Sequence, residues 1–310
     1  MSEQKYRLVT RSDFDGLVCA VLLNELEMID DIRFVHPKDM QDGKIEISER
    51  DITTNLPYVR GAHLSFDHHL SETIRNVGEQ KNHVIDPKAP SAARVVHDYY
   101  GGKKVFQNIS DEMMEAVDKA DSAQFTLDEI LNPKGWVLLN YLMDSRTGLG
   151  RFREFKISNY SLMMDLIQYC KTMGIEQILE LPDLKERQEL YFDHAEKAKE
   201  QITRCTTVHG NLAVLDLRNE EIIWSTNRFM IYALFPQVNI SIHLIWGLQK
   251  QNTVFATGKS ILDRSSKTDI GALMLRYGGG GHPAAGTCQI DNDRAEEVLG
   301  ELIKAINADG

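Results

Sequence analysis

The chain lacks the sequence features of exported, disulfide-bonded and membrane-spanning proteins. Its 310 residues include four cysteines, scattered with no CxxC pair, which disfavours both a zinc-ribbon site and a disulfide framework. No apolar run comes near the roughly 20 residues that a membrane helix needs. The N-terminal sequence MSEQKYRLVT has no apolar core of a signal peptide. We therefore expect a cytoplasmic protein with no membrane partner.

Positive charge is also scarce. Lys and Arg number 35 against 46 Asp and Glu, which gives a formal net charge of -11. This acidic balance argues against a protein that grips long nucleic acid through a broad basic surface, and so against a processive nuclease. Phosphate substrates stay compatible with it, because bound divalent cations can invert the local field.

Length and hydrophobic periodicity predict an α/β protein with more than one domain. A chain of 310 residues exceeds the size at which single cores stop growing, roughly 250 to 300 residues. Strands alternate with helices as far as about Tyr100, which predicts a domain of residues 1–150 with a mostly parallel sheet flanked by helices. The pattern is almost wholly helical from about Asp111 to Arg204. The alternating charges of Leu184 to Arg204 predict a solvated helix between domains, in a helical connector of residues 151–205. Residues 206–310 mix strands and helices again and predict a smaller α/β domain.

Acidic and histidine side chains follow two strands of the predicted parallel sheet. Asp13 and Asp15 come after the first strand, with Asp15 as a candidate N-cap of the next helix. In an extended loop these two carboxylates point the same way and can bind hard cations. Asp67, His68 and His69 follow a later strand, and parallel sheets bind ligands outside the carboxyl ends of their strands. The alternative is a surface turn at SDFDG and a helix start in which Asp67 caps backbone amides.

Two further carboxylates, Asp118 and Asp121, lie at the predicted end of a helix. Acidic residues there oppose the helix dipole, so a nearby cation would explain them. We favour Asp121 as a metal ligand. For Asp118, capping of the next helix is an equal alternative.

A run of four glycines, Gly278 to Gly281, precedes His282 in the C-terminal part. Four glycines lose too much backbone entropy in a helix or a regular strand, so the run predicts a loop. Its backbone amides, which no Cβ shields, can wrap an anionic oxygen. Ser260 and Arg264 offer a hydroxyl and a guanidinium for the same phosphate. The alternative is a flexible turn.

The motifs SDFDG, FDHH, DKADSAQ, SILDRSS and GGGGHPAAG occur in this order, and with them the whole chain resembles the DHH/DHHA1 family of phosphoesterases. It is most similar to the RecJ-like, exopolyphosphatase-related subgroup. The resemblance implies a DHH domain whose metal centre, usually Mn²⁺, activates water to attack phosphorus. It also implies a DHHA1 domain that holds the substrate.

Carried over residue by residue, the resemblance assigns three groups of site residues. The metal ligands are Asp13, Asp15, His68 and Asp121, with Asp67 a further ligand or a partner of one. The implied catalytic residues are Asp67, His68 and His69. The implied substrate-binding residues are His69, Ser260, Arg264, Gly279, Gly280, Gly281 and His282.

Two positions depart from the family pattern. Arg11 stands near the place of a His or Asp before the first acidic pair, and Asn55 stands where the family has an Asp that bridges two metals. We therefore hold two hypotheses. The first is a metal-dependent phosphoesterase that cleaves a phosphodiester or phosphoanhydride bond of a small nucleotide, a short oligonucleotide or a polyphosphate, with one or two Mn²⁺, Mg²⁺ or other divalent ions. The alternative is a catalytically degenerate nucleotide-binding or phosphate-binding sensor. A homodimer is a further expectation.

Overall fold

The computed structural model describes residues 4–69, 72, 78, 80–144 and 148–310. Contacts within the chain divide it into two compact units, Met1–Gln124 with Pro133–Leu190, and Phe125–Asn132 with Tyr191–Gly310. Each unit holds one sheet, and together they confirm the predicted α/β class with a mostly parallel sheet and a second, mixed one. The role of residues 151–205 as a connector stays a prediction.

The first unit is built around a parallel sheet. Its elements are β1 (Tyr6–Arg11), α1 (Phe14–Glu25), β2 (Ile29–Val35), α2 (Pro37–Gln41), β3 (Asp51–Thr54), β4 (Leu64–Asp67), β5 (His83–Ile85), α3 (Ala92–Tyr99), α4 (Asp111–Asp121), α6 (Gly135–Met143), α7 (Asn159–Thr172) and α8 (Ile175–Leu179), with α5 (Leu127–Leu131) belonging to the second unit. The strand order is β2-β1-β3-β4-β5, and every neighbouring pair is parallel. The carboxyl ends of β1, β3 and β4 therefore meet at one edge of the sheet.

Helix α1 forms the centre of this unit. It packs against β1, α3, α4 and α7, and the ten residues from Phe14 to Leu23 are all buried. The helix begins earlier than the sequence suggested, because Asp13 and not Asp15 is its N-cap and accepts from the Gly16 amide. This corrects the expectation that the two carboxylates share an extended loop, since Asp15 lies inside the first helical turn.

The second unit contains a mixed sheet. Besides α5, its elements are β6 (Thr206–His209), β7 (Leu212–Asp216), α10 (Met230–Leu234), β8 (Ile240–Trp246), β9 (Thr253–Lys259), α11 (Ile270–Leu275), β10 (Gly280–His282), β11 (Ala285–Ile290) and α12 (Ala295–Asp309), while α9 (Pro182–Cys205) contributes residues to both units. The order is β10-β11-β9-β8-β7-β6, and only the β7 to β8 pair is parallel among the described strands. Apolar residues of β7, β8, α11 and α12 form its core.

The glycine run does not lie wholly outside regular structure. Gly280, Gly281 and His282 form the edge strand β10, antiparallel to β11, with Gly281 opposite Gly286. The expectation of a loop was wrong for these residues because glycine is here what allows the pairing. A Cβ on Gly281 would lie 2.2 Å from the Ala285 carbonyl oxygen.

The long charged helix α9 is not solvated on all sides. Buried residues recur along one face: Leu184, Arg187, Tyr191, His194, Ala198 and Ile202. Their spacing of three and four is that of an amphipathic helix that packs through one stripe. Apart from Arg187, the charged residues of the helix lie on its other faces. No helix in the part of the chain that the structure describes is long and apolar enough to cross a membrane.

Candidate active site

Three predicted ligands converge at the carboxyl edge of the parallel sheet. Asp15 comes from the first turn of α1, His68 from the residue after β4, and Asp121 from the end of α4. One ligand atom from each lies within 4.8 Å of the other two. The fold brings them together because α1 follows β1 directly and β4 ends at the same edge. This donor set of two carboxylates and one imidazole suits a divalent cation.

Asp15 is held by the N-terminus of α3. Its Oδ2 accepts from the Ala92 amide at 2.9 Å and its Oδ1 from the Ala93 amide at 2.8 Å. The residue is 2% exposed. Burial, followed by the charge of Asp121, raises the pKa of Asp15 to about 7. Because a carboxylate offers about four lone-pair positions, the two amides fix its orientation and leave positions for a cation.

His68 presents one ring nitrogen to the two carboxylates. Its Nδ1 lies 3.2 Å from the Ala89 carbonyl oxygen, which can only accept, so Nδ1 carries a proton. Nε2 lies 2.8 Å from Asp121 Oδ2, within ion-pair distance. A histidine that donates to a carbonyl through one nitrogen and leaves the other buried beside carboxylates has the arrangement of a metal ligand.

Protonation of His68 and Asp121 is coupled in the metal-free protein. Burial opposes the charged imidazole, but the contact with Asp121 and the charges of Asp121 and Asp15 outweigh it and raise the pKa of His68 to about 9. Burial likewise opposes the Asp121 carboxylate, whereas His68, His69 and Arg11 lower its pKa. The carboxylates of the cluster thus stabilise a positive charge at its centre. In the protein without metal, the proton on the His68 ring provides this charge.

Asp67 is buried behind His69. Its Oδ1 accepts from the backbone amides of His68 and His69 at 2.9 and 3.3 Å, and lies 2.6 Å from His69 Nδ1. Its Oδ2 is buried without a hydrogen-bond partner among the described residues. Burial lowers the pKa of His69, but the bond to Asp67 and its charge outweigh this and raise it. Asp67 therefore orients His69, and its ligand atoms are outside the cluster of three.

Asp13 is not part of the cluster either. Its Oδ1 accepts from the Gly16 amide at 2.9 Å and from Asn55 Nδ2 at 3.1 Å. Its Oδ2 lies 2.8 Å from Arg11 Nε. The two residues that depart from the family pattern thus bind Asp13 and leave Asp15, His68 and Asp121 in place. The geometry does not favour the sensor hypothesis for this reason.

Asp118 has a role that the sequence did not reveal. It does not cap the next helix but accepts two bonds from Arg94, at 2.9 Å from Nε and 2.5 Å from Nη2, and one from Ser91 Oγ at 2.7 Å. Ser91 is the N-cap of α3, the helix whose amides hold Asp15. Ser91 and Asp118 are 27 residues apart in the chain, so local sequence patterns do not show their contact.

The predicted substrate residues of the second unit lie around the β10 to β11 hairpin and the β9 to α11 connection. Ser260 is buried, and its Oγ accepts from the amides of Leu262 and Asp263 at 3.2 and 3.0 Å, so it shapes a turn. Arg264 follows in that turn with an exposed side chain.

In the hairpin, a Cβ on Gly279 would lie 2.1 Å from the Thr287 carbonyl oxygen. A Cβ on Gly280 would meet no atom of the described residues within 4 Å. Gly281 is at φ +150°, and His282 ends β10 as a partly buried residue.

Neither models of protein families nor curated proteins gave a match to this sequence. Chains of solved structures did match it. The pGpG-specific phosphodiesterase PggH from Vibrio cholerae is 65% identical, with 99% of this chain and 100% of that chain covered and a TM-score of 0.82. The chain belongs to the DHH/DHHA1 family of phosphoesterases. RecJ from Thermus thermophilus, solved in complex with Mn²⁺, has the same fold at 12% identity and a TM-score of 0.51, covering 99% of this chain and 52% of that one.

As a DHH/DHHA1 phosphoesterase, the chain is a metal-dependent hydrolase of phosphate esters, and a divalent ion is the cofactor class. The side chains of the cluster fit a divalent ion. The donor set is two carboxylates and one imidazole, and the Nε2 of His68 faces the carboxylates, at 2.8 Å from Asp121 Oδ2.

Proposed function

We propose that this DHH/DHHA1 phosphoesterase hydrolyses a short linear dinucleotide of the pGpG kind, cutting the internal phosphodiester bond to give two mononucleotides. The observation that carries the proposal is the convergence of Asp15, His68 and Asp121 in a chain 65% identical to a pGpG-specific phosphodiesterase over its whole length. A dinucleotide also suits the net charge of -11, because a small substrate needs no extended basic track.

Asp15, His68 and Asp121 would hold the divalent ion, for which we propose Mn²⁺, since the set mixes carboxylate oxygens with an imidazole nitrogen. A divalent ion at this position lowers the pKa of water and offsets the charge of the phosphate. The α3 amides fix the Asp15 carboxylate, and the Ala89 carbonyl fixes the His68 ring. Both ligands are therefore oriented before any ion binds.

His69 serves as the proton donor in this proposal. Asp67 Oδ1, 2.6 Å from Nδ1, sets the tautomer and ring plane of His69. The raised pKa of His69 favours the protonated ring, which can donate to the oxygen that leaves phosphorus. Asp67 is completely buried, so its charge acts on His69 with little screening by water.

In the second unit, we propose that the β10 to β11 hairpin and Arg264 bind a phosphate of the substrate. Open space at Gly280 permits close approach to the backbone. The exposed guanidinium of Arg264 can bind phosphate oxygens in pairs. Ser260 would act by shaping the turn that presents Arg264, and His282 by adding an imidazole at the end of β10.

A turnover assay tests the proposal. With Mn²⁺ present, we expect purified protein to convert pGpG to GMP, and to act weakly or not at all on cyclic dinucleotides and inorganic polyphosphate. His69→Ala should lower turnover by about 100-fold or more without changing Mn²⁺ binding measured by calorimetry. His63→Ala is the matched control, since His63 precedes β4 and stacks on Tyr6. Bound Mn²⁺ with no hydrolysis of any phosphate ester would overturn the proposal.

We also propose a cytoplasmic location. The four cysteines, Cys19, Cys170, Cys205 and Cys288, are all free, which suits a reducing compartment. Cell fractionation with an antibody against the chain tests this. The expected homodimer stays a prediction, which light scattering at several protein concentrations would check.

A further inference from the structure

The acidic pair of SDFDG is divided between two tasks. Asp15 enters the three-ligand cluster, whereas both oxygens of Asp13 are occupied by donors. Oδ2 lies 2.8 Å from Arg11 Nε, and Oδ1 accepts from the Gly16 amide and Asn55 Nδ2. A cation at Asp13 would have to displace a guanidinium and approach two N–H groups whose positive ends already face the carboxylate. Asp13 is thus held in an ion pair and withheld from metal.

Asn55 has a fixed amide orientation. The residue is 1% exposed and takes the left-handed conformation, with φ of 54°, which Asn tolerates better than most residues. Its NH₂ group faces Asp13, because a flipped amide would bring two acceptor oxygens together. The NH₂ group repels a cation on the side of Asp13, whereas the amide Oδ1 is buried with no hydrogen-bond partner among the described residues. Asn55 also supplies no charge with which to bridge two ions.

Arg11 places a permanent positive charge beside the cluster. Its side chain is 25% exposed, and its charge acts on Asp121, a member of the cluster, as well as on Asp13. Two divalent ions bound together at a phosphoesterase site lie roughly 3.5 to 4 Å apart and need shared anionic ligands to offset their repulsion. Here the Asp13 carboxylate is neutralised by Arg11, and the neighbouring Asn55 side chain is an uncharged amide.

We propose that Arg11 takes the place of a second metal ion, so that the centre binds one divalent cation on Asp15, His68 and Asp121, with the Arg11–Asp13 pair as a fixed charge beside it. The inference rests on the metal centre of the proposed function. It adds the stoichiometry of that centre and assigns Arg11 and Asn55 as the residues that set it.

The test is the number of Mn²⁺ ions bound per chain, measured without substrate. Calorimetry and metal analysis after dialysis should give one ion for the wild type and one for Arg11→Lys, which keeps the charge. The double variant Arg11→Ala/Asn55→Asp should bind two ions, because Asp13 is released and a carboxylate replaces the amide. Electron paramagnetic resonance of bound Mn²⁺ should then change from the spectrum of an isolated ion to that of a spin-coupled pair.

The outcomes separate this inference from the proposed function. Two ions on the wild type would overturn the inference and leave the hydrolase proposal standing. One ion on the wild type without turnover of pGpG would overturn the proposed function alone. No ion would overturn both. Should the double variant unfold, as judged by circular dichroism, the wild-type count and its resonance spectrum still decide the question.

Discussion

Among single residues, Asp118 lies outside the cluster but is connected through α3 to Asp15, a candidate ligand within it. Asp118 binds Arg94 and the N-cap hydroxyl of Ser91, and α3 then presents two amides to Asp15. We predict that Asp118→Asn lowers Mn²⁺ affinity by roughly 10- to 100-fold, measured by calorimetry. Asp111→Asn, on the same helix and paired with Lys103 at 2.8 Å, is the control and should bind Mn²⁺ normally. Equal affinities would remove Asp118 from this role.

In the proposed metal centre, the protonation of His68 makes metal binding dependent on pH. Its pKa of about 9 lies above the ordinary 6.5, so a metal must displace a proton from the ring. Mn²⁺ affinity should therefore rise with pH, by about tenfold per unit between roughly pH 7.5 and 8.5, and level off above about pH 9. The metal-free protein behaves oppositely, because the stability contributed by protonated His68 is present below pH 6.5 and lost as pH rises through about 9. Calorimetry in buffers of different ionisation enthalpy measures the released proton, and absence of proton release would contradict the assignment.

At the scale of elements, the sequence predicted most of the pieces that surround the cluster. The strand before Asp13, the strand before Asp67 and the helix that ends at Asp121 all follow from short-range apolar spacing. Two errors had one cause. Whether α1 begins at Phe14 or two residues later depends on Asp13 meeting the Gly16 amide, and whether Gly280 belongs to a strand depends on β11 lying beside it. Local periodicity does not distinguish Asp13 from Asp15 as the cap, and it does not show which strand lies beside Gly280.

Local sequence patterns are also insufficient to identify the candidate metal ligands. Residue type and position indicated Asp15, His68 and Asp121, which the fold brings within 4.8 Å of one another. Asp13 is also an aspartate that follows the first strand, so the sequence indicated it as strongly as Asp15. Only the side-chain direction set by the first turn of α1, together with the Arg11 guanidinium at 2.8 Å, distinguishes the two. Spacing of two residues predicts a shared direction in an extended chain but not at a helix start.

Two glycines of the β10 to β11 hairpin allow its structural role and its proposed binding role to be tested separately. Gly281→Ala should destabilise the protein by about 1 to 3 kcal/mol, because φ is +150° and the added Cβ would lie 2.2 Å from the Ala285 carbonyl oxygen. Gly280→Ala is the matched control and should unfold at the wild-type denaturant concentration, because its Cβ would meet no atom within 4 Å in the part of the chain that the structure describes. Equal midpoints would show that the hairpin does not form as described.

The larger variant Gly280→Val tests the proposed binding role of the same hairpin. Its side chain would project from the open backbone position, so the KM for pGpG should rise while Mn²⁺ binding stays unchanged. An unchanged KM would place the phosphate elsewhere in the second unit. Loss of Mn²⁺ binding in this variant would indicate misfolding rather than a local effect.

At the scale of the whole molecule, the candidate metal ligands and the candidate phosphate-binding residues belong to different compact units. Asp15, His68 and Asp121 lie in the first unit, while Gly280 and Arg264 lie in the second. Each unit has a core of its own. Metal binding should therefore stabilise one unit directly, since a ligand stabilises only the structure that forms its site.

We predict that saturating Mn²⁺ slows amide hydrogen exchange in the first unit, most strongly in α1, in α3 and around β4, and leaves the second unit nearly unchanged in the absence of substrate. At a free concentration of about 100 times Kd the stabilisation is about 2.7 kcal/mol, or roughly a hundredfold slowing for amides that exchange only by unfolding of that unit. Mass spectrometry of peptides from each unit measures it. Asp15→Asn should abolish the difference, because the ion loses a buried ligand that is already oriented by two amides. Equal protection in both units would mean that they unfold as one cooperative structure, and protection that survives in Asp15→Asn would place the ion at another site.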